Sequence, residues 1–190
     1  MIKVEINHLK ECLDYNYKTG GLFWKHRPEH HFKNNLVFKA WNTRYANKKA
    51  GCTGANGYVY ISVDKKRYLA HRLGYALYHG YFPENDIDHK DRIRTHNWIT
   101  NLREASDQCN LRNAGMSKNN TSGVKGVNFD KPTKKWRAKI MIFHKTISIG
   151  RFKLFSDAVK ASWGAEVKYK FPNCCADSSS YNYLKQHNVK

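Results

Sequence analysis

The stretch IDHKDRIRTHNWITNLREASDQCN, residues 87–110, combines a carboxylate, an imidazole and two carboxamides at separations that suggest a shared site. Asp88 offers a hard oxygen ligand for Mg²⁺ or Mn²⁺, and Asn110 can add a second ligand oxygen without adding charge. Histidine is the side chain that titrates closest to neutrality, so His89 can accept a proton from water. The stretch therefore predicts a one-metal site for phosphoryl transfer.

The neighbouring residues predict how this stretch folds. Ser106 is expected to cap a short helix that ends near Gly115, which places Asn110 in the first turn of that helix. The N-terminus of a helix also suits a nearby anion. Asn101 is expected to tie the preceding loop through backbone hydrogen bonds and to orient His89.

Each of the four polar residues also has an ordinary structural explanation. Asp88 can be a turn residue and His89 a surface residue, while Asn101 can be a loop cap and Asn110 a solvated residue on a helix. An Asp-His pair alone is a weak indication of function. The combination supports the site more strongly than any single member does.

The charge balance favours a polyanionic partner. Lys and Arg total 34 and Asp and Glu total 15, so the formal net charge is 34 − 15 = +19. Each Lys or Arg that meets a phosphate releases a counterion, which makes nucleic acid the simplest partner. The basic residues are spread along the chain among aromatic residues, which favours a folded binding surface. An anionic membrane is the alternative, but no long basic amphipathic helix stands out.

The bulk composition predicts a folded chain without membrane spans. Hydrophobic residues make up 41% of the chain and aromatic residues 14%, which is enough to form a core. No run of about 18 apolar residues occurs. The first residues, MIKVEINHLKECLDYN, lack the apolar region of an export signal. The protein is therefore expected to stay in the compartment where it is made.

Cysteine and histidine spacing predicts neither a disulfide framework nor a structural zinc site. The five cysteines are odd in number and form no C-x-x-C pair. Cys174 and Cys175 are expected to be free thiols in a polar tail. The histidines of HRPEHH, residues 26–31, fit no metal motif, and this stretch is expected to lie on a loop surface.

Composition shifts and periodicity predict the remaining organisation. A short helix is expected around Leu9 to Tyr15, and residues 26–50 show no clean period and are expected to form a loop. Two runs alternate with the period of a strand. The inward positions are Val59, Ile61 and Val63 in the first run, and Ala138, Ile140 and Ile142 in the second. The polar stretch MSKNNTSG, residues 116–123, is expected to be a linker.

The central stretch resembles the HNH family of nucleases, in the branch of phage and intron-encoded homing endonucleases. The resemblance runs through IDHKD, NLREAS and the final Asn, with 13 positions from Asp88 to Asn101 and 9 from Asn101 to Asn110. The flanks YNYKTGGLFWK and WNTRYANKKAG also look like the lead-in of such proteins. The stretch NNTSGVKGVNFDKPTKKWRAKIMIFHKTISIGRF is similar to an AP2-type DNA-binding domain.

The resemblance implies an α+β fold with a ββα-metal (HNH) nuclease core. The core is preceded by a small strand-rich N-terminal region and followed by an AP2-like three-stranded sheet plus helix. The implied domains are an N-terminal basic and aromatic region (1–56), an HNH domain (57–115, core 81–115), a linker (116–123), an AP2-like domain (124–172) and a polar tail (173–190). The tail is assigned no fold.

The family also implies the role of each site residue. Asp88 and Asn110 look like the ligands of one divalent metal ion, Mg²⁺ or Mn²⁺, and His89 looks like the general base. Asn101 matches the Asn that holds the hairpin and His89 in place. Two departures from relatives are RIRTHN, where a Gly-containing turn is common, and Cys109, where a polar residue is commoner.

The implied activity is metal-dependent hydrolysis of a phosphodiester bond in double-stranded DNA, as a nickase or double-strand cutter of the homing type. Products would carry 5′-phosphate and 3′-hydroxyl ends. The chain is expected to act as a monomer in the cytoplasm of a bacterium or phage-infected host, with no membrane or small-molecule substrate. A catalytically inactive, sequence-specific DNA-binding protein is the alternative, and an RNA-binding protein is a weaker one.

The residues expected to hold DNA lie in two places. In the C-terminal sheet, Arg137 is expected to read base edges beside Lys139 and Arg151, and Lys125 and Lys135 to meet phosphates. The alternative for these residues is a solvated basic face. His71 and Arg72, at the start of a helix, are expected to contact the DNA backbone or else to be ordinary helix-start polar residues.

Overall fold

The chain divides into two compact units, Met1–Ala105 and Ser106–Lys190. The structure is a computed structural model that describes residues 4–174 and 178–189. The division between the units falls inside the predicted HNH domain, not at the predicted linker. The domain boundaries drawn from the sequence remain predictions.

The first unit combines helices with small antiparallel sheets. Its helices are α1 (Ile6–Cys12), α2 (Asn35–Tyr45) and α3 (Ala70–His79), with 3₁₀ turns at Glu29–His31 and Ile99–Asn101. Its strands are β1 (Leu13–Asn16), β2 (Gly21–Trp24), β3 (Cys52–Thr53), β4 (Val59–Val63), β5 (Lys66–Leu69), β6 (Asp86–His89) and β7 (Leu102–Ala105). They form a β1–β2 hairpin, a β3–β4–β5 sheet and a β6–β7 hairpin.

The core of the first unit lies where α1 and α3 pack on β4. Ile61 and Val63 are each 1% exposed, so the alternation predicted for this strand is correct. Leu73 and Ala76 of α3 are fully buried in the same cluster. A second, smaller cluster joins Tyr75 of α3 to the β6–β7 hairpin, which fixes that hairpin against the helix.

Two N-terminal segments differ from the predictions. The helix expected around Leu9 to Tyr15 ends at Cys12, because the following residues pair with β2 in a hairpin. Residues 26–50 are not a loop throughout, since α2 occupies their middle. Asn34 caps this helix by accepting a hydrogen bond from the N–H of Val37 at 3.0 Å, a local signal that apolar periodicity does not report.

The second unit is a three-stranded antiparallel sheet packed against helices. Its strands are β8 (Val127–Asp130), β9 (Lys135–Ile142) and β10 (Lys145–Phe152), in the order β10–β9–β8. Its helices are α4 (Asp107–Asn113), α5 (Phe155–Lys168) and α6 (Ser179–Gln186), with a 3₁₀ turn at Phe171–Asn173. Ala138, Ile140 and Ile142 of β9 are buried as predicted, and α5 covers the core with Ala158 and Val159.

The polar tail assigned no fold contains helix α6. Tyr183 and Leu184 pack against the core of the second unit, and the Ser180 hydroxyl donates to the Glu166 carboxylate at 2.9 Å. Burial raises the pKa of Glu166, against the hydrogen bonds from Ser178 and Ser180 that lower it. The sequence conceals this helix because Leu184 is its only aliphatic side chain and the segment is otherwise polar or tyrosine.

The prediction that Cys174 is a free thiol is wrong. Cys174 forms a disulfide with Cys109, which lies 65 positions earlier on α4. Disulfide connectivity depends on tertiary structure and cannot be deduced from spacing. Cys12 and Cys52 are reduced, and Cys175 lies outside the described residues. Within the described residues, no helix has both the length and the apolar character needed to cross a membrane.

Candidate active site

The β6–β7 hairpin carries Asp88 and His89 on adjacent positions of one strand. Asp88 pairs with Arg103, and His89 pairs with Leu102. Adjacent strand residues point to opposite faces of the hairpin, so the imidazole lies on the side of buried Ile87 while the carboxylate lies on the other. The local alternation therefore gives the imidazole a sheltered position and the carboxylate a more accessible one.

His89 is held by a carboxamide that sequence reasoning did not single out. Its Nε2 lies 2.9 Å from Oδ1 of Asn97, and both residues are buried. A carbonyl oxygen can only accept a hydrogen bond, so Nε2 carries the proton in the neutral ring and Nδ1 carries the lone pair. The contact thus selects one tautomer and identifies the ring nitrogen that can act as a base.

Asn97 is in turn positioned by the N-terminal hairpin. The Tyr15 hydroxyl donates to the backbone carbonyl oxygen of Asn97 at 2.6 Å. The Ile99 N–H donates to the backbone carbonyl oxygen of Tyr17 at 3.0 Å. Gly74 of α3 allows the Tyr15 ring to approach, because a Cβ there would lie 2.8 Å from the ring. The loop that supports His89 therefore rests on β1 and on α3.

Asn101 closes the loop between β6 and β7. Its side-chain nitrogen donates to the His96 carbonyl oxygen at 2.8 Å and to Asp91 Oδ1 at 2.9 Å, and its Oδ1 accepts from the Asp91 N–H at 3.1 Å. These bonds match the loop-tying role predicted for Asn101. The hydrogen bond described above, however, is donated by the His89 ring to Asn97 and not to Asn101.

Asp91 is a further charged member of this loop. Its Oδ2 lies 2.6 Å from Nδ1 of His96. Burial raises the pKa of Asp91, but hydrogen bonds from the Ile93 N–H, His96 and Asn101 lower it more, so the net shift is downward. The loop is thus tied by an anionic carboxylate as well as by Asn101.

Asp88 is paired with the arginine opposite it on β7. Oδ2 of Asp88 accepts from Nη2 of Arg103 at 2.8 Å and from Nε at 3.1 Å. Arg103 belongs to the stretch NLREAS, but only the strand register shows that it faces Asp88. The guanidinium neutralises and orients the carboxylate that is predicted to bind metal.

His71 lies inside the first unit and not on its surface. It is 3% exposed, and its ring meets the His89 ring edge-on at a centroid distance of 4.9 Å. Within the described part of the chain, Nδ1 of His71 has no hydrogen-bond partner. The pKa of His71 is lowered to about 3, mainly by burial and to a smaller extent by the nearby His89 and Arg72. This burial contradicts the predicted contact of His71 with the DNA backbone.

Arg72 stabilises the loop before β6. Its guanidinium donates to the carbonyl oxygens of Asn85 and Pro83, both at 2.9 Å, and lies 3.7 Å from the carboxylate of Asp86. These contacts give Arg72 a structural role. Its predicted contact with DNA stays a prediction.

Asn110 lies on α4 in the second unit. Ser106 caps this helix as predicted, since its hydroxyl accepts from the Cys109 N–H at 3.4 Å. The Asn110 N–H donates to the Ser106 carbonyl oxygen at 3.0 Å, which places Asn110 in the first turn. The disulfide at Cys109 joins the same turn to the segment after α5.

Lys125 holds the C-terminus of α4. Its ammonium donates to the carbonyl oxygens of Ala114, Leu111 and Arg112 at 2.8, 3.1 and 3.4 Å. The last carbonyls of a helix lack partners within the helix and carry partial negative charge, so a lysine satisfies both needs. These bonds occupy the side chain that was predicted to meet a DNA phosphate.

The other predicted DNA contacts share one face of the C-terminal sheet. Arg151 of β10 pairs directly with Arg137 of β9, and Lys135 and Lys139 lie two positions either side of Arg137. Lys135, Lys139 and Arg151 are exposed and Arg137 is half-buried. Arg151 donates to Oδ2 of Asp130 at 3.0 Å, so one acidic residue interrupts the basic face.

A comparison with known protein families matches a segment that contains the β6–β7 hairpin and nearly all of α4. Residues 68–112 match the HNH endonuclease family. This HNH segment includes Asp88, His89, Asn101 and Asn110, and it also includes Asn97. It ends before β8, and the predicted AP2 likeness of the C-terminal sheet and helix has no support in these comparisons.

One solved structure is similar to part of the chain. That structure is described as DNA binding and cleavage by the HNH homing endonuclease I-HmuI. It shares 22% sequence identity with this chain, with a TM-score of 0.39. The similarity covers 60% of this chain and 57% of the I-HmuI chain, so this chain spans little more than half the length of I-HmuI in that structure. No curated protein matches the chain.

Proposed function

We propose that this protein is a metal-dependent DNA endonuclease of the HNH homing type, which hydrolyses a phosphodiester bond in double-stranded DNA. The match of residues 68–112 to the HNH endonuclease family and the net charge of +19 support this proposal. The observation that carries it is the buried hydrogen bond between Nε2 of His89 and Oδ1 of Asn97. That bond prepares an imidazole for general-base chemistry.

His89 acts as the general base through Nδ1. Because Nε2–H is donated to Asn97, Nδ1 accepts the proton of the attacking water, and the resulting imidazolium keeps its bond to Asn97. The neighbouring His71 ring is neutral near pH 7, because burial and then the nearby charges lower the pKa of His71 to about 3. A neutral neighbour does not repel the positive charge that develops on His89.

Asp88 and Asn110 are the proposed ligands of one divalent metal ion. A carboxylate and a carboxamide oxygen form a hard donor set, which fits Mg²⁺ or Mn²⁺. When bound, the ion supplies Lewis-acid activation of the scissile phosphate and stabilises the leaving 3′ oxygen. Arg103 orients Asp88 through its two bonds to Oδ2.

The C-terminal sheet is the proposed DNA-reading surface. Arg137 can read a guanine edge with two hydrogen bonds, and Lys139 and Arg151 flank it on the same face. Lys135 meets a phosphate and carries no sequence information. Replacing Arg137 by Ala is expected to change site preference, while Lys135→Ala mainly reduces the salt dependence of binding.

A plasmid-cleavage assay with the full chain tests the proposal. Supercoiled plasmid that carries the target is expected to be cut with Mg²⁺ or Mn²⁺, and EDTA or His89→Ala is expected to abolish cutting. His79→Ala, which removes an exposed histidine on α3, is the matched control and should cut like the wild type. End sequencing should find 5′-phosphate and 3′-hydroxyl ends.

Binding measurements beside the cleavage assay separate the alternatives. Tight, specific binding without metal-dependent cleavage of the true target would indicate a DNA-binding protein with a decayed catalytic segment. Stronger binding to RNA than to duplex DNA in competition would indicate an RNA-binding protein. The monomeric state and the bacterial or phage-infected host cytoplasm stay predictions from the sequence.

A further inference from the structure

The first unit contains a second group of potential metal ligands, far in sequence from the HNH segment. His8 and Cys12 lie one turn apart on α1, and His31 comes from the 3₁₀ turn Glu29–His31. Nε2 of His8 lies 3.5 Å from Sγ of Cys12, which lies 3.8 Å from Nδ1 of His31. One donor atom from each of the three residues lies within 4.8 Å of the others.

These separations fit a tetrahedral cation site. With Zn–S bonds of about 2.3 Å and Zn–N bonds of about 2.0–2.1 Å, donor atoms at tetrahedral angles lie about 3.3–3.6 Å apart. The two measured sulfur–nitrogen distances are at or just above this range. The third separation, between the nitrogens of His8 and His31, is within 4.8 Å, so an ion would draw the two imidazoles toward Cys12.

The surroundings of His31 match those of a metal-binding histidine. Its side chain is 2% exposed, and its Nε2 lies 2.7 Å from the carboxylate of Glu11. Ligating histidines usually donate their second ring N–H to a carboxylate, which leaves the other nitrogen with a lone pair for the metal. Glu11 thus directs the lone pair of His31 toward Cys12.

An ion would replace two contacts of the ligand nitrogens: one comes from Asp64, whose Oδ2 lies 2.5 Å from Nε2 of His8, and the other comes from Arg27. Its Nε donates to Nδ1 of His31 at 3.1 Å, while its Nη2 donates separately to Asp64 at 2.6 Å. The bond to Asp64 can keep the guanidinium in place when Nδ1 turns to the ion. A divalent ion and Arg27 carry three positive charges together, and three anionic groups balance them: Glu11, Asp64 and a Cys12 thiolate.

We propose that His8, Cys12 and His31 bind a zinc ion that stabilises the N-terminal region. One thiolate and two imidazoles form a softer donor set than Asp88 and Asn110, and such a set selects Zn²⁺ over Mg²⁺. A water molecule completes the tetrahedron. The ion joins α1 to the 3₁₀ turn, two elements that spacing in the sequence did not relate.

Metal binding at this site includes one proton transfer. Burial raises the pKa of Cys12 to about 11, so the sulfur is a thiol near pH 7 without metal. The thiol proton passes to solvent as the zinc–sulfur bond forms, and no electrons are exchanged. The histidines bind as neutral imidazoles.

Cobalt substitution tests the site because a thiolate gives a distinctive optical signal. The full chain is stripped with a chelator, kept without reductant so that the Cys109–Cys174 disulfide persists, and titrated with Co²⁺. The reference variant carries Cys52→Ser and Cys175→Ser, so that Cys12 is its only cysteine outside that disulfide. We expect a thiolate-to-cobalt charge-transfer band at one ion per chain, which one equivalent of Zn²⁺ removes and excess Mg²⁺ does not.

The variants decide which residues hold the ion. Adding Cys12→Ser to the reference variant should abolish the band, and its retention would overturn the proposal, as would a reference variant that shows no band. Glu11→Gln keeps all three ligands and should weaken Zn²⁺ affinity about 10-fold or more in competition with a chromogenic chelator. An unchanged affinity in Glu11→Gln would contradict the role of His31, whether or not Cys12→Ser folds.

Discussion

The buried His71 makes the stability of the first unit dependent on pH. His71 is 3% exposed, and burial, followed by His89 and Arg72, lowers its pKa to about 3 from 6.5. The unfolded chain therefore takes up a proton at this residue as the pH falls through 6.5, while the folded chain stays neutral there until about pH 3. This proton uptake by the unfolded chain lowers the stability of the folded state. The loss of stability is absent above pH 6.5 and grows as the pH falls from 6.5 toward 3.

The size of the effect follows from the two pKa values. Between about pH 7.5 and about pH 5, proton uptake by the unfolded state at His71 costs the folded state about 2 kcal/mol. His71→Gln removes the titrating group, so the variant should lose about 2 kcal/mol less stability than the wild type over that interval. The comparison across pH cancels any packing defect that lowers the stability of the variant equally at both values.

Urea unfolding at the two pH values, followed by tryptophan fluorescence, measures this difference. His79→Gln is the matched control because His79 lies exposed on the same helix, and its pH dependence should stay close to that of the wild type. If His71→Gln loses as much stability as the wild type, to within about 0.5 kcal/mol, His71 is not held neutral by burial. If His71→Gln is less stable than the wild type by the same amount at both pH values, the substitution affects packing alone.

Three further substitutions test the supports of the site. Asn97→Ala should lower the cleavage rate about 10- to 100-fold with unchanged DNA affinity in a gel-shift assay, because losing the buried bond costs about 1.5–3 kcal/mol; an unchanged rate would mean that this bond does not prepare the base. Gly20→Ala should destabilise the first unit in urea unfolding by more than about 1 kcal/mol, because its φ is +76° and a Cβ would collide with backbone atoms of Asn97 and Trp98; wild-type stability would contradict that contact. Lys125→Met should speed hydrogen exchange of the α4 amides, because the lysine caps three carbonyls of that segment; unchanged exchange would show that the cap adds no stability.

The features of the site that could be predicted are those that depend on residues close together in the sequence. The cap at Ser106 and the loop-tying bonds of Asn101 were expected from residue type and spacing, and the structure contains both. Asn97 carries no such signal, because it lies among other polar loop residues and only the folded loop brings it to His89. Arg103 needed the strand register to be placed opposite Asp88.

Long-range pairings account for most of what the sequence did not reveal. The Cys109–Cys174 disulfide joins residues 65 positions apart, and α6 gains its stability from contacts with α5. His31 was expected on a loop surface, but its side chain is buried beside residues of α1. In each case the local pattern is polar and the partner is distant, so composition indicates exposure while tertiary contacts produce burial.

The N-terminal hairpin supports the general base proposed at His89, although the HNH match starts only at residue 68. Tyr15 reaches Asn97 through its hydroxyl, and burial raises the pKa of Tyr15, so the hydroxyl remains a donor throughout the neutral range. Asn97 in turn fixes the tautomer of His89. The base proposed at His89 therefore depends on a contact from β1, which lies outside the matched segment but inside the same compact unit, Met1–Ala105.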